Sequence, residues 1–214
     1  QWGINRLYSM IENRPDWCIS RQRHWGVPLP FFMHKATDEL HPKTLEIMDR
    51  VAELVEKGGI EAWAKATAED FLSAEAADYV KTTDILDVWF DSGAMPYAQV
   101  HYPFENKEGF GEVYPADFIA EGVDQTRGWF FTLHAIAAML FDSVAFKNII
   151  SNGLVLDKNG NKMSKRLGNA VDPFEVLDTY GADATRWYMI SNSQPWDNLK
   201  FDRDGVDEVR RKFF

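Results

Sequence analysis

Apolar positions near the start of the chain recur at helical spacing. Ile4, Leu7, Tyr8 and Ile11 share one face of a predicted helix over residues 1–13, which Pro15 ends. Val27-Pro28-Leu29-Pro30-Phe31-Phe32-Met33 reads as extended, its prolines confining it to an edge or a strand entry. Pro42 then opens a helix whose Leu45, Met48, Val51, Ala52 and Val55 form a stripe, closed by Gly58-Gly59. A short helical piece over 60–66 and a polar connection lead to Lys81.

Beyond Lys81 the apolar residues gather into compact runs. Residues 85–90 form a strand-like block before an Asp91-Ser92-Gly93 turn, and 116–121 read as a strand leading into Gly122. From about 124 to 141 runs a helix apolar on most sides, suited to packing between a sheet and another layer. Residues 148–156 are the next predicted strand, and Asp157-Lys158-Asn159-Gly160-Asn161 is a turn. The last predicted helix has Asp172 at its N-cap, Pro173 at its first position and Glu175 three after the cap. Phe174, Leu177, Gly181, Ala184 and Tyr188 recur along it. Strand, helix, strand, loop, helix is an α/β order, with ligands expected at the carboxyl ends of parallel strands.

Composition narrows the chemistry. An apolar content of 45% argues for a packed core, and no run approaches the ~18 apolar residues that cross a bilayer. A single cysteine, Cys18, excludes an internal disulfide framework and is expected to be a buried small residue; a cytoplasmic setting follows as the default. The five histidines form no ligand-spaced cluster, so no zinc is expected. A net charge of -10 argues against a dedicated nucleic-acid-binding module but not against an enzyme that holds RNA elsewhere.

Against that acidic background, Lys162-Met163-Ser164-Lys165-Arg166 concentrates positive charge before Leu167-Gly168-Asn169. Two lysines three residues apart can bring two ammonium groups to one polyanion, and cations that grip it best in a transition state lower the barrier. An arbitrary pentad of this kind reads equally as a solvated basic turn. Glu121 at a strand's end can accept hydrogen bonds from hydroxyls or serve as a surface carboxylate. Gly122 permits close backbone approach. Asp124 reads either as a ligand-facing acid or as an ordinary N-cap.

The pentad resembles the KMSKS signature of class I aminoacyl-tRNA synthetases, with Arg166 in place of the last serine. The segment Asp16-Trp17-Cys18-Ile19-Ser20-Arg21-Gln22-Arg23-His24-Trp25-Gly26 resembles the one by which that family returns from its editing insertion, and the likeness covers almost the whole chain. Asp87-Val88-Trp89-Phe90-Asp91-Ser92-Gly93 is similar to the form in isoleucine enzymes; valine enzymes differ there. Residues 121–130 are similarly close, departing at Thr126, where histidine is common.

The resemblance implies the second half of a Rossmann-like nucleotide-binding fold plus a small α+β region. It implies four segments: 1–33 returning from an editing insertion, 34–80 appended, 81–171 carrying the adenylate site and phosphate loop, and 172–214 leading toward a tRNA-binding part. It makes Lys162 and Lys165 catalytic, with Glu121, Gly122, Asp124, Gln125 and Met163 joining them at ATP or the adenylate. Trp89, Gln125 and Trp129 would line the amino acid pocket, although each tryptophan taken alone reads as core. Met163 either seats adenine or packs. Arg21, Arg23 and Trp25 either brace the junction or approach the tRNA acceptor end.

ATP with Mg²⁺, L-isoleucine and tRNA(Ile) are the implied substrates. The chain contains no His-x-Gly-His element, which the resemblance assigns to the other half of the nucleotide crevice. It is therefore expected to be a part that is inactive by itself and able to self-associate through an open sheet edge.

Overall fold

A computed structural model describes residues 2–213, apart from the side chains of residues 2, 3, 6, 7 and 213. Leu7 of the first predicted stripe thus lies outside the described side chains. Residues 15–92 form one compact unit, and the described residues on either side form another.

The unit over 15–92 is built on two antiparallel pairs. Strand β1 (Ser20–Arg21) pairs with β4 (Ile85–Leu86), and β2 (Phe32–His34) pairs with β3 (Tyr79–Lys81). The helices Thr44–Gly58, Ile60–Lys65 and Ala68–Leu72 lie between β2 and β3 in the chain. Their common core is Phe32, Ile47, Val51, Trp63, Leu72 and Ala76. Phe32 and Phe71 each meet the Trp63 ring edge-on, at 5.7 and 5.5 Å.

Two sequence expectations change here. The Thr44–Gly58 helix buries Ile47 and Val51, with Val55 packed behind them, while Leu45 and Met48 are exposed. Ile47, Val51 and Val55 are four apart and form the straighter stripe. The block 85–90 is a strand only at Ile85–Leu86; Val88–Gly93 is helical. Asp87 causes the switch. Its carbonyl accepts from the Phe90 N–H at 2.8 Å and its Oδ1 from the Trp89 N–H at 3.3 Å, which is N-cap behaviour.

Lys81 closes the end of the Ile60–Lys65 helix. Its ammonium donates to the carbonyls of Trp63 and Ala66, the latter at 2.8 Å, and lies 4.0 Å from the Trp63 ring centre. Cations are favoured at a helix carboxyl end, where carbonyls are left without partners. Burial nonetheless pushes the Lys81 pKa down.

In the other unit, β5 (Ile119–Gly122) and β6 (Ile149–Asn152) are parallel and in register from Ile119 opposite Ile149 to Gly122 opposite Asn152. The helix Trp129–Phe141 connects them and buries Phe130, Thr132, Leu133, Ile136 and Ala137. Strand β7 (Val155–Leu156) pairs in parallel with β8 (Leu199–Lys200). The predicted strand over 148–156 is therefore two strands with different partners. The predicted helix from 124 is a 3₁₀ turn, Val123–Arg127, followed by an α-helix that begins only after Gly128.

Asp172 caps the helix Pro173–Tyr180 as expected, its Oδ1 accepting from the Phe174 N–H at 2.8 Å. Glu175 instead makes a two-pronged pair with Arg203, at 2.8 and 2.9 Å. The helix stops at Gly181, whose φ of 86° is left-handed, and a second helix runs Ala182–Ser191. Phe174 is exposed, and Val176 takes the core place beside Tyr188, Leu199, Phe201 and Val206.

The β6-to-β7 switch needs glycine. A Cβ on Gly153 would meet the Asp197 carbonyl oxygen at 2.1 Å and the Asn198 nitrogen at 2.8 Å, both backbone. Gly153→Ala is expected to destabilise the unit by ~1–3 kcal/mol, the usual range for overpacking; the urea midpoint measures it. His134 gives a pH signature. Its ring stacks on Phe146 at 4.4 Å, its Nδ1 accepts the Ala145 N–H at 3.2 Å, and burial lowers its pKa. A lowered folded pKa means stability is intact above the unfolded value, about 6.5, and is lost as pH falls toward the folded value. Melting temperatures are expected to drop between pH 7.5 and 5.5, and less so in His134→Gln.

Candidate functional site

Strands β5 and β6 end level with each other, so whatever follows both is delivered to one edge. In open α/β sheets that edge is where ligands bind. Glu121 is exposed there, opposite Ser151. Gly122 follows, and a Cβ on it would lie 2.6 Å from Asp124 Oδ1. The absent side chain thus leaves room for the Asp124 carboxylate to fold back over the strand end. Asp124 is not the helix N-cap. Gln125 serves the helix start instead, its Oε1 accepting the Trp129 N–H at 3.1 Å and its Nε2 donating to Asp124 Oδ2 at 3.3 Å.

Five of the residues singled out by sequence are therefore gathered at one strand end: Glu121, Gly122, Asp124, Gln125 and Trp129. Trp129 is half-buried against Leu133, Ala137 and Ala145. It lines a largely apolar cavity of about 70 Å³ with Met95, Pro96, Tyr114, Ile119 and Leu133. Trp89 belongs to the unit over 15–92, where it is 41% exposed on the helix Val88–Gly93.

The lysine loop leaves β7. Leu156 bridges to Lys162 across the Asn159-Gly160 turn, where Gly160 has φ 88°. Lys162 and Lys165 are both exposed, and a short 3₁₀ turn, Lys165–Leu167, carries the second. Ser164 Oγ accepts from the Arg166 N–H at 3.2 Å, and Gly168 ends the turn with φ 66°. Met163 points the other way. It packs on the Val176–Tyr188–Phe201 core and lines an apolar cavity of about 220 Å³ with Val155, Val171 and Met189. Among the described residues, neither lysine pairs with Glu121 or Asp124. Along the chain, only Gly153 and Leu154 separate β6 from β7.

Sequence reasoning missed three residues that shape these places. Asp87 is buried at 4% exposure, and its Oδ2 accepts from Trp17 Nε1 at 2.9 Å and Arg21 Nη2 at 2.8 Å. Arg21 is thereby tied into the frame, whereas Trp25 is 93% exposed. Asp157 and Asn169 clasp the lysine loop at its two ends, with Asn169 Nδ2 donating to Asp157 Oδ2 at 2.9 Å. Composition marked them only as turn formers. Cys18, expected buried, is exposed, and the Ser20 hydroxyl beside its sulfur lowers the thiol pKa. No group of three or more His, Cys, Asp or Glu among the described residues is placed to hold a metal ion. No described helix is long and apolar enough to cross a membrane.

A family model described as tRNA synthetases class I (I, L, M and V) matches residues 1–202. The isoleucine–tRNA ligase of Cytophaga hutchinsonii is 56% identical over 99% of this chain, which spans 20% of that protein. The isoleucine–tRNA ligase of a Bacteroides fragilis strain is 52% identical over 99% of the chain and 21% of its own length. The chain thus spans about a fifth of the length of these curated relatives. Among solved structures, the leucyl enzyme of Agrobacterium radiobacter K84, in a ternary complex with tRNA and LeuAMS, superposes with a TM-score of 0.68 at 21% identity. That match covers 97% of this chain and 29% of that one. The Mycobacterium tuberculosis methionyl-tRNA synthetase with methionyl-adenylate gives 0.59 at 21% identity, covering 96% and 31%. At such identity these two likenesses establish the α/β fold.

The Asp157 carboxyl is held below the usual carboxylate range by the Asn169 amide first, then by backbone N–H groups of Asn161 and Asn159. A depressed folded pKa keeps the clasp intact at neutral pH and releases it only as acid passes below about pH 4. Carbon-13 titration of the Asp157 carboxyl is expected to show a midpoint below that of a free aspartate, shifting upward in Asn169→Ala.

Proposed function

We propose that this chain, which belongs to the class I tRNA synthetase family (I, L, M and V), works in an ATP-dependent ligase that activates L-isoleucine and transfers it to tRNA(Ile). The observation that carries the reading is 56% identity to an isoleucine ligase across 99% of the chain. The strand-end cluster and lysine loop give it a physical basis.

In this reading the isoleucine carboxylate attacks the α-phosphorus of ATP in line. A new oxygen–phosphorus bond forms, the bond to the β-phosphate oxygen breaks, and pyrophosphate leaves with the electron pair. Isoleucyl-adenylate results. A hydroxyl of the terminal adenosine of tRNA then attacks the acyl carbon and AMP departs. Such chemistry asks the protein mainly for positioning and charge stabilisation. Lys162 and Lys165 supply positive charge to the leaving pyrophosphate, and Mg²⁺ arrives with ATP as part of the substrate.

Glu121 accepts from the ribose hydroxyls, and Gly122 leaves the space that lets the Asp124 carboxylate sit at the strand end beside it. Asp124 and Gln125 face the adenylate, with Gln125 nearest its amino acid part. The Trp129 ring is a rigid apolar wall for the sec-butyl group. Met163 takes the packing role described above while its backbone flanks adenine. An apolar pocket separates isoleucine from valine by one methylene, a difference of ~1–3 kcal/mol, so a second hydrolytic check is needed for high fidelity.

Isoleucine-dependent exchange of pyrophosphate into ATP, measured on the protein that carries this chain, tests the reading. Lys165→Ala is expected to slow exchange by roughly 10²–10³-fold, the cost of one lost transition-state contact. An unchanged rate would overturn the role of the loop.

A further inference from the structure

The loop from 157 to 169 carries Lys158, Lys162, Lys165 and Arg166 and only one acid, Asp157. An acid so close in sequence to these cations would ordinarily pair with one of them and compete with a phosphate for it. Asp157 is occupied otherwise. Its Oδ1 accepts the Asn159 and Asn161 N–H groups at 3.0 and 2.8 Å, and its Oδ2 accepts Asn169 Nδ2 at 2.9 Å. Every one of these donors is neutral. Among the described residues, no ion pair joins Asp157 to Lys162 or Lys165.

Asn169 does more than engage that carboxylate. The same Nδ2 donates to the Lys162 carbonyl at 3.2 Å, and its Oδ1 accepts the Ser164 N–H at 2.9 Å. One amide therefore fixes the backbone at Lys162 and immediately before Lys165. Long lysine side chains keep their freedom while the chain that bears them is already ordered. Ordering a loop before the ligand arrives removes part of the entropy cost of binding.

We propose that Asp157 and Asn169 form a positioning pair for nucleotide activation. Asn169 sets the two lysine backbones for a triphosphate, and Asp157 anchors Asn169 while being withheld from the lysines. Neither residue touches the reacting atoms. The inference rests on the lysine loop acting in adenylate formation.

Asn169→Ala removes the three amide bonds and frees Asp157 to pair with a lysine. In the protein that carries this chain, pyrophosphate exchange is expected to fall roughly 10–100-fold, the scale of a small misplacement of catalytic groups. KM for isoleucine should hold, and so should transfer from preformed isoleucyl-adenylate to tRNA. Asn169→Asp sets one carboxylate against another and should be as impaired. Adding Asp157→Asn to it restores a donor facing an acceptor between the two side chains but not the bond to the Lys162 carbonyl, and should recover part of the exchange rate lost in Asn169→Asp alone.

Normal exchange by a folded Asn169→Ala protein, beside an impaired Lys165→Ala protein, would overturn the positioning pair and leave the function standing. If Lys165→Ala is also normal, the reading of the loop itself fails. An equal loss in exchange and in adenylate transfer would mark general damage and overturn the inference. Should Asn169→Ala not fold, the exchanged pair decides: exchange faster than in Asn169→Asp alone supports the inference, and a folded double variant no faster than that single variant rejects it.

Discussion

The parallel pairing of β5 with β6 is the constraint from which the rest of the larger unit follows. Parallel strands cannot be joined by a tight turn, so the chain must cross over, and the helix Trp129–Phe141 makes that crossing. Because Gly122 and Asn152 lie opposite each other, the chain departing from either strand starts at the same edge. One departure carries Asp124 and Gln125. The other passes Gly153, changes partner to β8 and enters the lysine loop. A shift of the ladder by one residue would turn Glu121 to the other face and separate the cluster.

Much of this was legible because the sequence signals were local. Asp172 before Pro173 announced a helix start, and Asp157-Lys158-Asn159-Gly160 announced a turn; both are present. The α/β order was readable from the alternation of apolar runs with helical stripes. What escaped had its cause elsewhere in the chain. Nothing near Val88 says that Asp87 is buried and held by Arg21 and Trp17, more than sixty residues earlier. Residues 124–127 are polar and Gly128 follows them, but hydrophobic periodicity does not distinguish the polar first turn of a helix from a 3₁₀ turn that precedes one. Glu175, three after Asp172, has the spacing of a capping box, but its carboxylate is taken by Arg203, which lies 28 residues further along the chain.

The candidate site divides in the same way. Lys162 and Lys165 stand out by charge in an acidic chain, and Glu121 and Gly122 by their place after an apolar strand. Asp157 and Asn169 do not stand out, since their weight comes from facing each other across the loop. A geometric partner at twelve residues' distance leaves no periodic trace.

The Lys81 ammonium has a consequence for how the 15–92 unit can be followed in solution. It is sandwiched between the Trp63 indole and the carbonyls of Trp63 and Ala66. Its lowered pKa favours the free amine that acylating reagents attack, while the ring on one side and the carbonyls on the other narrow their approach. Beside exposed Lys57 and Lys65, Lys81 is thus an amine whose acylation is governed by access rather than basicity, and access to it follows opening around the Trp63 ring.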